Sequence, residues 1–135
     1  MNSNISIRDY SDFVDAVTSN PSKDVDVFVE RILELSQSGV NIPRLMTGAN
    51  GICSEAGEFM EIVKKILFQG KPLNEDNVFH MKRELGDIMF YWINACIALN
   101  LDPMAVVQEN FNKLSARYPD GFSVTRSENR AVGDI

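Results

Sequence analysis

Two stretches, residues 44–69 and 74–100, carry apolar side chains at intervals of three and four, and only the break Gly70-Lys71-Pro72 separates them. That spacing marks amphipathic helices, and a short connection between two such helices folds them back antiparallel. Asn74 suits the N-cap of the second helix, and Gly48 or Gly51 offers a bend in the first. Asp102-Pro103 is a start signal for a further helix ending near Tyr118-Pro119, because proline suits the first helical position. Upstream, Tyr10, Phe13, Val14 and Val17 mark a short amphipathic segment, and Asn20-Pro21-Ser22 is a break. A helix over residues 24–38 follows, closed by Gly39. The expectation is one all-α domain over residues 1–135, a bundle of four to five helices. A polar tail at about 123–135 shows no periodicity.

Four carboxylates stand out against this frame. Glu55 and Glu58 lie three apart on one long helix, and Glu84 and Asp87 lie three apart on the next. Residues three apart share a helix face. With Glu55 at 0° and about 100° per residue, Ile52, Ala56, Phe59, Met60, Val63, Ile66 and Leu67 form an apolar arc that Glu55 borders. Glu58 lies farther out, and Glu61 falls among positions facing water. The second helix repeats the pattern: Met81, Leu85, Ile88, Met89, Trp92, Ala95, Cys96 and Leu99 form the arc, with Glu84 at its edge and Asp87 at its margin. Acidic residues on helices usually form a solvated face. Carboxylates crowded where a core meets its polar side repel one another and take up protons. A divalent cation removes that repulsion, and oxygen-only ligands fit Mg²⁺ or Mn²⁺ better than zinc.

Other chemistries are excluded by what the chain lacks. His80 is its single histidine and does not follow a Glu by three positions, so neither a multi-histidine zinc site nor a di-iron bundle fits. His80 reads as the edge or outside of a site. Cys53 and Cys96 read as buried thiols in a reducing cytosol. A net charge of −6 argues against non-specific nucleic-acid binding. The N-terminus shows no basic segment followed by an apolar run, and no stretch reaches the ~20 residues that span a bilayer. The expected location is therefore cytoplasmic.

The run Ser54-Glu55-Ala56-Gly57-Glu58, followed by Glu84-Leu85-Gly86-Asp87, resembles the signature of MazG-like, all-α nucleoside triphosphate pyrophosphohydrolases. The stretches from Gly57 through Lys64-Lys65 and from Glu84 through Tyr91-Trp92 are similar to the same family, as is Asn110-x-x-Lys113-Leu114-x-x-Arg117-Tyr118-Pro119. The resemblance covers about residues 48–122. It implies Glu55, Glu58, Glu84 and Asp87 as metal ligands; Glu58, toward the open margin, and Glu55 are the catalytic candidates. It also implies Asn110, Lys113, Arg117 and Tyr118 as triphosphate or sugar contacts, with Glu61, Lys65 and His80 as further candidates. Independently, Asn110, Lys113 and Arg117 fall within about 60° of one another on a helical wheel. Where many members carry a second Glu before the first motif Glu, this chain has Ser54.

The implied reaction is magnesium-dependent cleavage of a nucleoside triphosphate to the monophosphate and pyrophosphate, with dGTP or dCTP as expected substrates. Tyr10, Phe13, Phe68, His80 and Trp92 are candidate base contacts. Phe90, Ile93 and Ile97 form a second apolar strip opposite Glu84. A helix apolar all round is buried on both sides, which predicts a homodimer or homotetramer. The alternatives are a phosphoribosyl-ATP pyrophosphohydrolase-like activity and a non-catalytic helical interaction module.

Overall fold

A computed structural model describes residues 4–130 and Gly133. Among these residues there are six α-helices and no strand: α1 (Ile7–Val17), α2 (Val25–Ser36), α3 (Ile42–Phe68), α4 (Glu75–Ala98), α5 (Pro103–Arg117) and α6 (Val124–Glu128). The chain divides into two compact units, Met1–Ile42 and Pro43–Ile135. No single helix among the described residues is long and apolar enough to cross a membrane.

In the first unit, Ser6 and Asp9 close a reciprocal capping box at the start of α1, satisfying two backbone donors that a helix end leaves open. The break at Asn20–Ser22 is a turn of 3-10 helix. Lys23 ties that turn to α1 through the Asp15 carbonyl at 2.8 Å. Asp24 then caps α2 by accepting from the amides of Asp26 and Val27. Gly39, at φ +83°, takes the left-handed conformation that ends the segment after α2.

The second unit is built on α3 and α4. Gly48 is buried against Ala95, and Gly51 against the ring of Tyr91. Glu55 faces Glu84 farther along. Positions that rise along α3 thus meet positions that fall along α4, so the pair runs antiparallel. α3 runs unbroken through both glycines, whose missing side chains let α4 approach its backbone. Arg44 donates to the Asn94 side chain at 3.0 Å across the same seam.

The turn between the helices is fixed by polar contacts. Asn74 caps α4 by accepting from the Asn77 amide. The buried Asn77 side chain donates to the Pro72 carbonyl at 2.7 Å. A buried amide left unpaired costs about 1–3 kcal/mol, so this bond holds the turn to one geometry. Asp102 caps α5 through the Met104 amide, and α5 leaves α4 with a bend of 102°.

Three expectations need correction. Six helices stand among the described residues where four to five are expected, because Ser123 caps the short α6 inside the polar tail. Cys96 is buried, but Cys53 is exposed, since it points away from the face that Gly48, Gly51 and Glu55 turn toward α4. The apolar arcs are only partly covered. Ile52, Phe59, Val63 and Ile66 are half-buried, whereas Met60, Leu67, Leu85 and Met89 are each more than half exposed.

Candidate active site

The antiparallel seam brings the acidic pairs of α3 and α4 together. Glu55, Glu58 and Glu84 each offer an oxygen, and the three oxygens lie within 4.8 Å of one another. Asp87 is near enough for its charge to act on Glu55. Glu55 and Glu84 are half-buried, whereas Glu58 and Asp87 are exposed. Each helix thus gives one inner and one outer carboxylate.

Glu55 bears the strain of this crowding. Its carboxyl is held above the ordinary value, first by partial burial and then by the charges of Glu58, Asp87 and Glu84. A side-chain hydrogen bond with Glu84 adds to the effect. A cation would relieve the repulsion among these carboxylates, and the donor set is all oxygen, as a hard divalent ion requires. The residues therefore fit a metal of the Mg²⁺ type.

The raised carboxyl fixes a pH dependence. For an acid raised in the folded state, the stabilising contribution is complete below its unfolded value and is lost as pH rises through the folded value. A cation held by Glu55 would compete with that proton. The magnesium-induced rise in melting temperature should therefore be larger near pH ~8 than near pH ~5. Equal shifts in thermal melts at the two pH values would show that no titrating carboxylate binds the ion.

Glu61 stands apart from this cluster. It pairs with Lys64 and, at 3.0 Å, with Lys65. Those hydrogen bonds hold its carboxyl below the ordinary value. Lys65, one of the sequence candidates, is thereby engaged with Glu61. His80 is exposed on α4.

The candidates on α5 lie elsewhere in the second unit. Lys113 and Arg117 line a cavity of about 600 Å³ together with Arg126 of α6, and none of the four carboxylates lines it. Asn110 and Lys113 line an adjoining cavity of about 440 Å³ with Trp92, Val106 and Val107. Tyr118 packs against Phe122, with ring centroids 5.5 Å apart. Hydrogen bonds from Ser127 and Arg117 hold its hydroxyl below the ordinary phenol value, opposed by partial burial. Of the aromatic candidates, Trp92 alone lines one of these two cavities. Tyr10 and Phe13 are exposed on α1 in the first unit, and Phe68 is exposed at the end of α3.

Arg126 escaped the sequence reading because the tail shows no apolar period. The available signal was Ser123, three residues earlier, whose hydroxyl accepts from the Arg126 amide at 3.4 Å and opens α6.

The profile of the MazG nucleotide pyrophosphohydrolase domain matches residues 45–122. The chain belongs to the MazG family. The matched span holds all four clustered carboxylates and the α5 candidates, and it ends before α6. Among known proteins, the Gene 37 protein of Mycobacterium phage L5 is 35% identical over 81 residues, which cover 59% of this chain and 71% of that protein. No solved structure matches the chain. MazG membership gives the acidic cluster its chemical setting, since this family is metal-dependent and acts on nucleotides.

Proposed function

We propose that this MazG protein hydrolyses nucleoside triphosphates to the monophosphate and pyrophosphate, with Mg²⁺ held by Glu55, Glu58, Glu84 and Asp87. The observation that carries the reading is the convergence of Glu55, Glu58 and Glu84 oxygens within 4.8 Å across the α3–α4 seam. Bound there, the ion supplies charge neutralisation and a more acidic water. In this reading the exposed Glu58 orients the attacking water and takes its proton. Glu55 and Glu84, at the apolar edge, hold the inner side of the site. Lys113 and Arg117 bind the phosphate chain and offset the charge on the departing pyrophosphate. Pairing with Lys64 and Lys65 gives Glu61 a structural role in this scheme.

The cavity of Trp92, Val106, Val107 and Asn110 suits the nucleoside end, with an aromatic and apolar wall and one amide. A deoxynucleotide such as dGTP or dCTP is the substrate we favour. Phe90 is 61% exposed and Ile97 45% exposed on the strip opposite Glu84. Apolar area of that kind supports a homodimer or homotetramer, in which a second copy can set its own α5 cations over the carboxylates.

The test is a panel of ribo- and deoxynucleoside triphosphates and phosphoribosyl-ATP, incubated with and without Mg²⁺, with pyrophosphate measured and the mass determined in the same buffer. Magnesium-dependent pyrophosphate release from a deoxynucleotide by an oligomer is expected. Release confined to phosphoribosyl-ATP would change the substrate, and release from none would leave a binding module. A monomeric mass at micromolar concentration would remove the oligomer.

A further inference from the structure

The chain carries 13 Lys and Arg against 19 Asp and Glu, so a place where cations outnumber anions needs a reason. The 600 Å³ cavity is such a place: Lys113, Arg117 and Arg126 line it with one carboxylate, Glu109, among the described residues. Its volume lies within the ~300–1,000 Å³ of small-ligand sites. Lys113 and Arg117 are separated by about 6 Å of helix rise, and Arg126 comes from a different helix. Charges spread in this way suit an anion with several charged groups better than a single carboxylate.

Local contacts hold Arg126 at this cavity. The Tyr118 hydroxyl, at the end of α5, accepts from Ser127, the residue after Arg126. Ser123 caps α6 on the Arg126 amide. The Asn129 side chain completes the same wall. The Arg126 guanidinium lies 3.8 Å from Asp120, but that carboxylate is 87% exposed. An ion pair so open to water is weak and easily exchanged for phosphate oxygens, which a guanidinium can hold in pairs.

We propose that Arg126 is a third cation for the substrate's phosphate chain and completes, with Lys113 and Arg117, a polyphosphate-binding cavity. The proposal rests on the pyrophosphohydrolase reading above and adds a residue beyond the matched domain, which ends at residue 122. Lys113 and Arg117 meet the charge that develops on the departing group, whereas Arg126, from a separate helix, holds phosphate oxygens alike before and after cleavage, so its loss raises KM and spares kcat.

The test compares the full-length protein with Arg126→Ala, Arg126→Lys and Asp120→Asn. Steady-state kinetics with a deoxynucleoside triphosphate and Mg²⁺ give KM and kcat, and calorimetric titration with inorganic pyrophosphate, without divalent metal, gives affinity. Arg126→Ala should raise KM about ten- to hundredfold and weaken pyrophosphate binding in proportion, with kcat changed by less than about threefold. Arg126→Lys should keep part of the binding, and Asp120→Asn should bind pyrophosphate at least as well as the native chain. Native KM and native pyrophosphate affinity in Arg126→Ala would overturn the proposal, as would a fall in kcat at constant KM. If the native protein cleaves no triphosphate yet binds pyrophosphate through Arg126, the proposed reaction fails and the cavity assignment stands.

Discussion

Glu84→Gln should lower magnesium-dependent triphosphate cleavage about a thousandfold, equivalent to roughly 4 kcal/mol of lost transition-state stabilisation. The substitution keeps the side chain's shape and removes one negative charge from a cluster whose oxygens lie within 4.8 Å. Its effect on the fold has the opposite sign. Glu84 is among the charges that hold the Glu55 carboxyl above its ordinary value, so neutralising it relieves repulsion in the metal-free protein. The metal-free variant should therefore melt no lower than the native chain at neutral pH, while its magnesium-induced rise in melting temperature largely disappears. A lost activity accompanied by a lowered metal-free melting temperature would point to a structural carboxylate. Glu61→Gln is the control: its lysine partners are about half exposed, pairs of that kind contribute little, and activity should stay within about threefold of native. Native activity in Glu84→Gln would end the metal assignment.

Gly51→Ala should destabilise the second unit by about 1–3 kcal/mol, although alanine is the better helix former by about 1 kcal/mol. A Cβ at this position would lie 2.1 Å from Cδ1 and 2.2 Å from Cγ of Tyr91. Those atoms sit near the base of the ring, so the tyrosine cannot simply swing its tip away. Either the ring leaves its rotamer or α3 and α4 move apart. The second response also spreads the carboxylates, because Glu55 follows Gly51 by one turn of α3 and Glu84 precedes Tyr91 by two turns of α4. Thermal unfolding should fall by several degrees, and magnesium affinity should weaken with it. Replacing Tyr91 by Leu in the same chain frees the space and should restore much of the loss. An unchanged melting temperature in the single variant would show that the seam yields without cost.

The helices were legible because their signals are local. Asn74 and Asp102 open α4 and α5 where their side chains predict, and α2 starts one residue after Asp24, which caps it. The division of carboxylates into half-buried Glu55 and Glu84 and exposed Glu58 and Asp87 also follows from the helical wheel. What the wheel could not supply is how far one helix covers another. Met60, Leu67, Leu85 and Met89 belong to the apolar arcs yet remain exposed, because an arc records hydrophobicity and not which neighbour meets it. The roles of Gly48 and Gly51 needed the partner helix, since a glycine that bends a helix and one that admits a neighbour look alike in sequence. Arg126 depended on a five-residue helix too short to show any period.

The hairpin of α3 and α4 also sets the order in which the site can be made. Glu55 and Glu84 are 29 residues apart (84 − 55), and the turn between their helices is held by its own side chains, Asn74 and Asn77. Closing so short a loop costs little chain entropy, and local contacts of this kind form early in folding. The acidic half of the site lies entirely before Ala98, whereas Lys113, Arg117 and Arg126 come after it. During synthesis the carboxylates can therefore meet across their seam before the cationic wall has been made.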